Sequence, residues 1–137
     1  MILIIFQTLF YLIVITNQPD IRIGLQTKAF NKIINNEIKK KIKISQIYTC
    51  YCLKEEIRCD CYKPRPSMIL KAKKKFNLNL AKSYIIGDSW RDIQLAKNTG
   101  CKSILVERSI NLYLSKKKKI RPDFIIKNFF SLNRIIK

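Results

Sequence analysis

Between Tyr84 and Val106 the apolar residues change their spacing twice, and this limits the fold more than any other feature of the chain. "YIIG" is a short apolar run of strand length. Asp88 to Thr99 then has a helical pattern closed by Gly100, the residue best able to end a helix in the left-handed conformation. Ser103 to Val106 returns to a strand.

The same alternation is legible upstream. Tyr11 to Ile15 is a β-branched run, and Thr27 is placed to cap a helix whose Phe30, Ile33, Ile34, Ile38 and Ile42 share a face. Ser45 to Thr49 reads as the next strand. A cysteine-rich loop runs to Pro66, and Ser67 can cap a helix to about Phe76. After a basic loop through Lys119 come a short strand in "DFIIK" and an amphipathic turn or two from Ser131. The order β-α-β-α-β-α-β predicts an α/β, Rossmann-like, mainly parallel sheet with helices on both faces and ligands at the carboxyl ends of its strands. No repeat or Gly/Ser linker divides the chain, so residues 1–137 read as one domain with a loop inserted at 50–66.

Charge sets the next limit. Lys and Arg number 28 against nine acids, a formal net charge of +19, yet 47% of the residues are hydrophobic, which excludes a disordered polyelectrolyte. The lysine clusters 39–41, 73–75 and 116–119 read as solvated helix faces or loop. They lack the interleaved arginines and aromatics of a base-stacking surface, so no nucleic-acid partner is expected; the field would steer small anions. Met1 to Ile15 carries no charge, but it lacks a basic lead and falls short of the roughly 20 residues that span a bilayer. A buried strand is expected there, with no membrane partner and a cytoplasmic location. In a reducing compartment clustered thiols favour metal over disulfides.

Three stretches could carry chemistry. "CYCLKEEIRCDC" places Cys50 and Cys52 ahead of Cys59 and Cys61, two Cys-x-Cys pairs able to close four thiolates around one structural zinc; buried reduced cysteines are the plainer alternative. Cys101, in a helix-to-strand turn, reads as packing. "KPRP" holds Lys63 on a stiffened loop, as a phosphoryl-binding cation or a solvated lysine. "VITNQPD" leaves a strand at Thr16 with donors suited to a phosphate or to an ordinary turn. Asp88, after a strand, suits either a magnesium ligand or a helix cap, and Asp92 would lie on the same side of the first helical turn.

Together, "VITNQPDIRIGL", "CYC…CDCYKPRPSMI" and "SYIIGDSWRDIQLAKNTGCKSILV" resemble, in order and spacing, the haloacid dehalogenase superfamily. The nearest branch is the D-glycero-D-manno-heptose 1,7-bisphosphate 7-phosphatases, with histidinol-phosphate phosphatases as relatives. The resemblance implies hydrolysis of a sugar phosphomonoester through an aspartyl-phosphate, with magnesium bridging carboxylates and phosphate. It makes Thr16 and Lys63 the groups that hold the phosphoryl, with Asn17 and Gln18 in the substrate turn. Asp88 becomes a magnesium ligand, Asp92 a supporting carboxylate, and Cys50, Cys52, Cys59 and Cys61 the zinc ligands.

The chain departs from the pattern in several places. Cys52 stands where many members have His, Tyr62 where Arg is usual, and Ser89 where some have Lys. The family's first strand, with its Asp-x-Asp nucleophile, has no counterpart, since no Asp precedes Asp20 and neither Asp20 nor Asp60 closes a strand. These residues alone are therefore expected to be impaired in hydrolysis, as an N-terminally shortened copy. Met1 to Phe6 fills the central slot of the sheet as a makeshift strand, a separate upstream fragment supplies it, or the gene is decaying or its start misplaced; apart from such a fragment a monomer is expected. The alternative from another class is a non-catalytic, zinc-stabilised domain that binds sugar phosphates or a partner. A basic nucleic-acid binder using the cysteine loop as a knuckle ranks behind it.

Overall fold

The computed structural model of the chain describes residues 2–3, 10–107, 114, 116 and 119–136. Its strands are β1 (Ile2–Leu3), β2 (Ile13–Asn17), β3 (Gln46–Cys50), β4 (Tyr84–Gly87), β5 (Lys102–Val106) and β6 (Phe124–Ile126). Its α-helices are α1 (Lys28–Lys41), α2 (Ser67–Phe76), α3 (Trp90–Thr99) and α4 (Leu132–Ile135). They form two three-stranded sheets, β1-β2-β3 and β4-β5-β6.

Every pairing is parallel except that of β1, which runs antiparallel to β2 with Ile2 opposite Ile15 and Leu3 opposite Val14. β1 also lies beside β4, so it sits where the two sheets meet. Of the stretch Met1 to Phe6 expected as a makeshift strand, Ile2 and Leu3 form a strand antiparallel to β2; Met1 and residues 4–6 lie outside the described residues.

β4 and the middles of β2 and β5 are apolar because both of their faces are covered. On β4, Ile85 enters a cluster with Ile13, Ile15, Met68, Ile69, Ala72, Leu95 and Ala96. Its neighbours Tyr84 and Ile86 turn to the other face, against Ile104, Ile126, Leu132 and Ile136. Burying each such aliphatic side chain contributes about 1.5 to 3 kcal/mol.

Local chemistry sets the helix ends, and four expectations are corrected. Thr27 caps α1 as expected, its hydroxyl accepting from Phe30 N at 3.1 Å. The predicted apolar face of α1 is not its buried face, however. Asn31 is buried and Ile34 and Ile38 are half-buried, while Phe30, Ile33 and Ile42 are exposed. Residues 31, 34, 35 and 38 form the i, i+3, i+4, i+7 row that turns inward, and Phe30 and Ile33 lie off that row.

Pro66, not Ser67, occupies the cap position of α2. Ser67 is already inside the helix, where Pro at its threshold forfeits no needed N–H. Asp88 likewise stands outside α3, whose cap is Ser89. The strand expected at Tyr11 to Ile15 begins two residues later and continues to Asn17. Gly100 does end α3 in the left-handed conformation, with φ of 73°.

Lys39–Lys41 and Lys73–Lys75 are exposed in the last turns of α1 and α2, where cations suit the negative end of the helix dipole. Among the described residues, no helix is long and apolar enough to cross a membrane.

Candidate active site

The carboxyl ends of β2 and β4 present Thr16 and Asn17 on one side and Gly87 and Asp88 on the other. Into this rim the loop after β3 brings Lys63. Its Nζ donates to Asp92 Oδ1 at 2.8 Å and lies 3.4 Å from the Ile15 carbonyl; its backbone N–H donates to Asn17 Oδ1 at 3.0 Å. Lys63 and Asp92 are both buried. Two opposite charges withdrawn from water are held only if each finds a partner, and here each does.

Asp92 belongs to two networks at once. Its Oδ2 accepts from Ser89 N at 3.2 Å and Ser89 Oγ at 2.9 Å, closing a capping box over the first turn of α3, while Oδ1 faces the lysine. The close packing requires Gly87: a Cβ at that position would collide with Asp92 Cβ and Oδ2.

Thr16 is buried at the end of β2, and its hydroxyl accepts from Gln18 Nε2 at 3.2 Å. Asn17 and Gln18 therefore direct their side chains at Lys63 and Thr16, binding the rim residues to one another. Gln18 N also donates to the Cys50 carbonyl at 2.7 Å, which joins the threonine turn to the cysteine loop. Asp88 is half-buried between Gly87 and Ser89 and makes no side-chain hydrogen bond or ion pair among the described residues. A carboxylate so placed is available to a hard cation.

The four cysteines converge. The Sγ atoms of Cys50, Cys52, Cys59 and Cys61 all lie within 4.8 Å of one another. Cys50–Cys59, Cys52–Cys61 and Cys59–Cys61 are separated by 3.7, 3.8 and 3.6 Å. A tetrahedral zinc with bonds of about 2.3 Å would space its sulfurs by about 3.8 Å, so the set fits that ion. Cys50 and Cys61 are closer still, in disulfide contact, leaving Cys52 and Cys59 free. That pairing and a zinc centre are alternative states of the same four sulfurs.

Hydrogen bonding to Cys59, then burial, pushes the Cys52 thiol up to about 11. Burial would raise the Cys59 thiol too, but hydrogen bonds from Cys52, the Tyr62 and Cys61 amides and Arg65 outweigh it and bring Cys59 below the ordinary value. Cys101 is buried in the core with its thiol raised by desolvation, as its reading as packing requires.

Sequence reasoning missed several participants. Ser89 was legible in "SWRD", where a hydroxyl and an acid stand at capping-box spacing. Arg65, whose Nη1 donates to the Glu56 and Cys59 carbonyls at 2.9 and 2.7 Å, and Asn98, whose Nδ2 donates to the Pro64 carbonyl at 3.0 Å, gave no such signal. Asp20 lies in a short 3-10 helix and Asp60 in the cysteine loop, so neither closes a strand.

With this geometry in hand, three similarities place the chain among known proteins. It is 32% identical over 102 residues to the D-glycero-alpha-D-manno-heptose-1,7-bisphosphate 7-phosphatase of Campylobacter jejuni, covering 71% of this chain and 58% of that protein. It is 33% identical over 109 residues to the corresponding beta-anomer phosphatase of Escherichia coli, covering 70% and 57%. The chain thus spans a little over half the length of the curated relatives it matches. A crystal structure of D,D-heptose 1,7-bisphosphate phosphatase from B. bronchiseptica, complexed with magnesium and phosphate, superposes with a TM-score of 0.79 at 22% identity, over 90% of this chain and 72% of that one. Residues 60–132 match the HAD-hydrolase-like family, and the chain belongs to it.

Proposed function

We propose that this chain carries the phosphate-holding part of a sugar-phosphate phosphatase acting on a D-glycero-D-manno-heptose 1,7-bisphosphate or a close analogue. The observation that carries this reading is the buried Lys63–Asp92 pair at 2.8 Å beside Thr16. A lysine held there by a carboxylate and a backbone carbonyl keeps its third N–H for a phosphoryl oxygen. The Thr16 hydroxyl supplies another donor on the same rim.

Lys63 stabilises charge on the transferring phosphoryl group, and Asp92 sets the position of the ammonium without touching substrate. Asn17 holds the lysine backbone and Gln18 orients Thr16. Asp88 would hold magnesium, whose charge would neutralise phosphate oxygens. The four cysteines would hold a zinc that stiffens the loop carrying Lys63. The loop needs reduced thiols, which supports a cytoplasmic location.

Residues 1–137 contain no acid N-terminal to Asp20, so the nucleophilic carboxylate is not among them and these residues alone are expected to bind far better than they turn over. This favours a second reading, a non-catalytic sugar-phosphate-binding domain. One experiment serves both. Purified chain is titrated with heptose 1,7-bisphosphate by calorimetry, with and without magnesium, and phosphate release is followed alongside. Magnesium-assisted binding that Lys63→Met removes and Asp88→Asn weakens is expected. Release of phosphate would reject the non-catalytic reading, and binding indifferent to both substitutions would reject the site.

A further inference from the structure

The cysteine loop has a difficulty that its four sulfurs do not resolve. Between the two Cys-x-Cys pairs, residues 53–58 must fold back on themselves, leaving carbonyls pointed inward beside a centre that would be a dianion, four thiolates around one Zn²⁺. Two hydrogen bonds hold the fold-back locally, from Glu56 N to the Leu53 carbonyl and from Cys59 N to the Glu56 carbonyl, both at 3.2 Å. The Glu56 side chain adds a third, Oε1 accepting from Leu53 N at 3.0 Å. Each of these lies within the loop itself, and the tie that Glu56 Oε1 makes outside it, to Arg22 Nε at 3.3 Å, is an exposed ion pair that adds little.

Arg65, placed between Pro64 and Pro66, ties the fold-back to the end of the loop that leads into α2. One nitrogen, Nη1, donates to the carbonyl of Glu56 at 2.9 Å and to that of Cys59, itself a candidate ligand, at 2.7 Å. Its own position is set from both sides: its backbone N–H donates to the Tyr62 carbonyl at 3.0 Å, and the neighbouring Pro64 carbonyl accepts from Asn98 on α3 at 3.0 Å. A planar cation in such a frame does what neutral donors cannot. It satisfies two converging carbonyl dipoles and lays positive charge against the sulfur cluster.

We infer that Arg65 is the positioning residue of the metal centre, holding Cys59 and the fold-back in ligating geometry and offsetting the charge of the thiolates. The inference rests on the zinc reading above. Groups that orient ligands from outside the coordination shell typically account for 10- to 100-fold in metal affinity.

The test is zinc affinity of the full chain, measured by competition with a chromophoric chelator under reducing conditions. Wild type should take up one zinc. Arg65→Met, which keeps length but loses charge and donors, should weaken binding 10- to 100-fold, and Arg65→Lys, which restores charge without the fork, should recover part of the loss. Lys74→Ala, on the exposed face of α2, should change nothing. The melting temperature of metal-free protein separates positioning from general stability: Arg65→Met should shrink the gap between zinc-loaded and metal-free forms more than it lowers the metal-free value. Equal zinc affinity in wild type and Arg65→Met would overturn the inference while leaving the zinc reading intact. Absence of zinc uptake by wild type would overturn both.

Discussion

Lys63 and Asp92, on separate elements and 29 positions apart, meet at 2.8 Å with 7% and 1% of their side chains exposed. Nothing local to either segment forces this contact. It forms because β2, β4 and the cysteine loop end on the same rim, and it converts a loop lysine into an immobilised donor. Lys63→Ala should therefore cost about 3 to 5 kcal/mol, since it strands the Asp92 carboxylate in the interior. The double variant Lys63→Met with Asp92→Leu should cost less than the sum of the single changes. Urea unfolding of the four proteins gives the coupling, and strict additivity would mean the pair is not interacting.

Gly87→Ala tests the packing beneath that pair. The new methyl group would strike Asp92 Cβ and Oδ2. Moving Asp92 would disturb the capping box and the lysine together. A loss of about 1 to 3 kcal/mol is expected, with weakened phosphate binding. Thermal melts and calorimetric phosphate titration would show it; a variant as stable as wild type that binds phosphate normally would refute the contact.

Asp123 makes stability depend on acid. Its Oδ2 accepts from Ser103 Oγ at 2.6 Å and Ser103 N at 2.7 Å, and these bonds hold its carboxyl below the usual carboxylate range. A carboxyl depressed in the folded state adds stability that is complete above its unfolded value, about 3.9, and is lost as pH falls through the lower folded value. Asp123→Asn should remove part of this acid dependence, by a modest amount because the side chain is exposed to solvent. Melting temperatures between pH 2 and 7 would reveal the difference; superimposable profiles would count against the assignment.

The cysteine cluster predicts metal-dependent order. Wild type should hold one zinc, Cys50→Ser or Cys59→Ser should lose it, and Cys101→Ser should keep it. Chelation should expose residues 53–58 to limited proteolysis, because without a closed tetrahedron the stretch between the cysteine pairs keeps only its local bonds, the Arg65 contact and an exposed ion pair. Zinc uptake that survives loss of Cys59 would place the metal elsewhere.

Much of the fold was legible because it is written at short range. Strand and helix alternate in apolar period, Thr27 and Gly100 mark helix ends, and the four cysteines stand within reach of one another in any compact loop. Roles that depend on which way a side chain faces were not legible. Phe30 and Ile33 satisfied the helical pattern yet lie outside the buried row, and Asn17, expected toward substrate, turns its amide to the Lys63 backbone.

By itself, then, the amino-acid order determined the elements, the helix ends at Thr27 and Gly100 and the clustering of the thiols, since spacing and capping act over a few positions. Tertiary structure alone decided that Lys63 would find Asp92, that Arg65 would close over Cys59, and that β1 would lie antiparallel where the sheets meet. The first and the last join separate elements of the chain, and the second reaches back six positions to a carbonyl whose direction the fold sets. Such contacts depend on burial, on the direction of a side chain and on the choice of partner, and those arise only once the sheets and helices have packed.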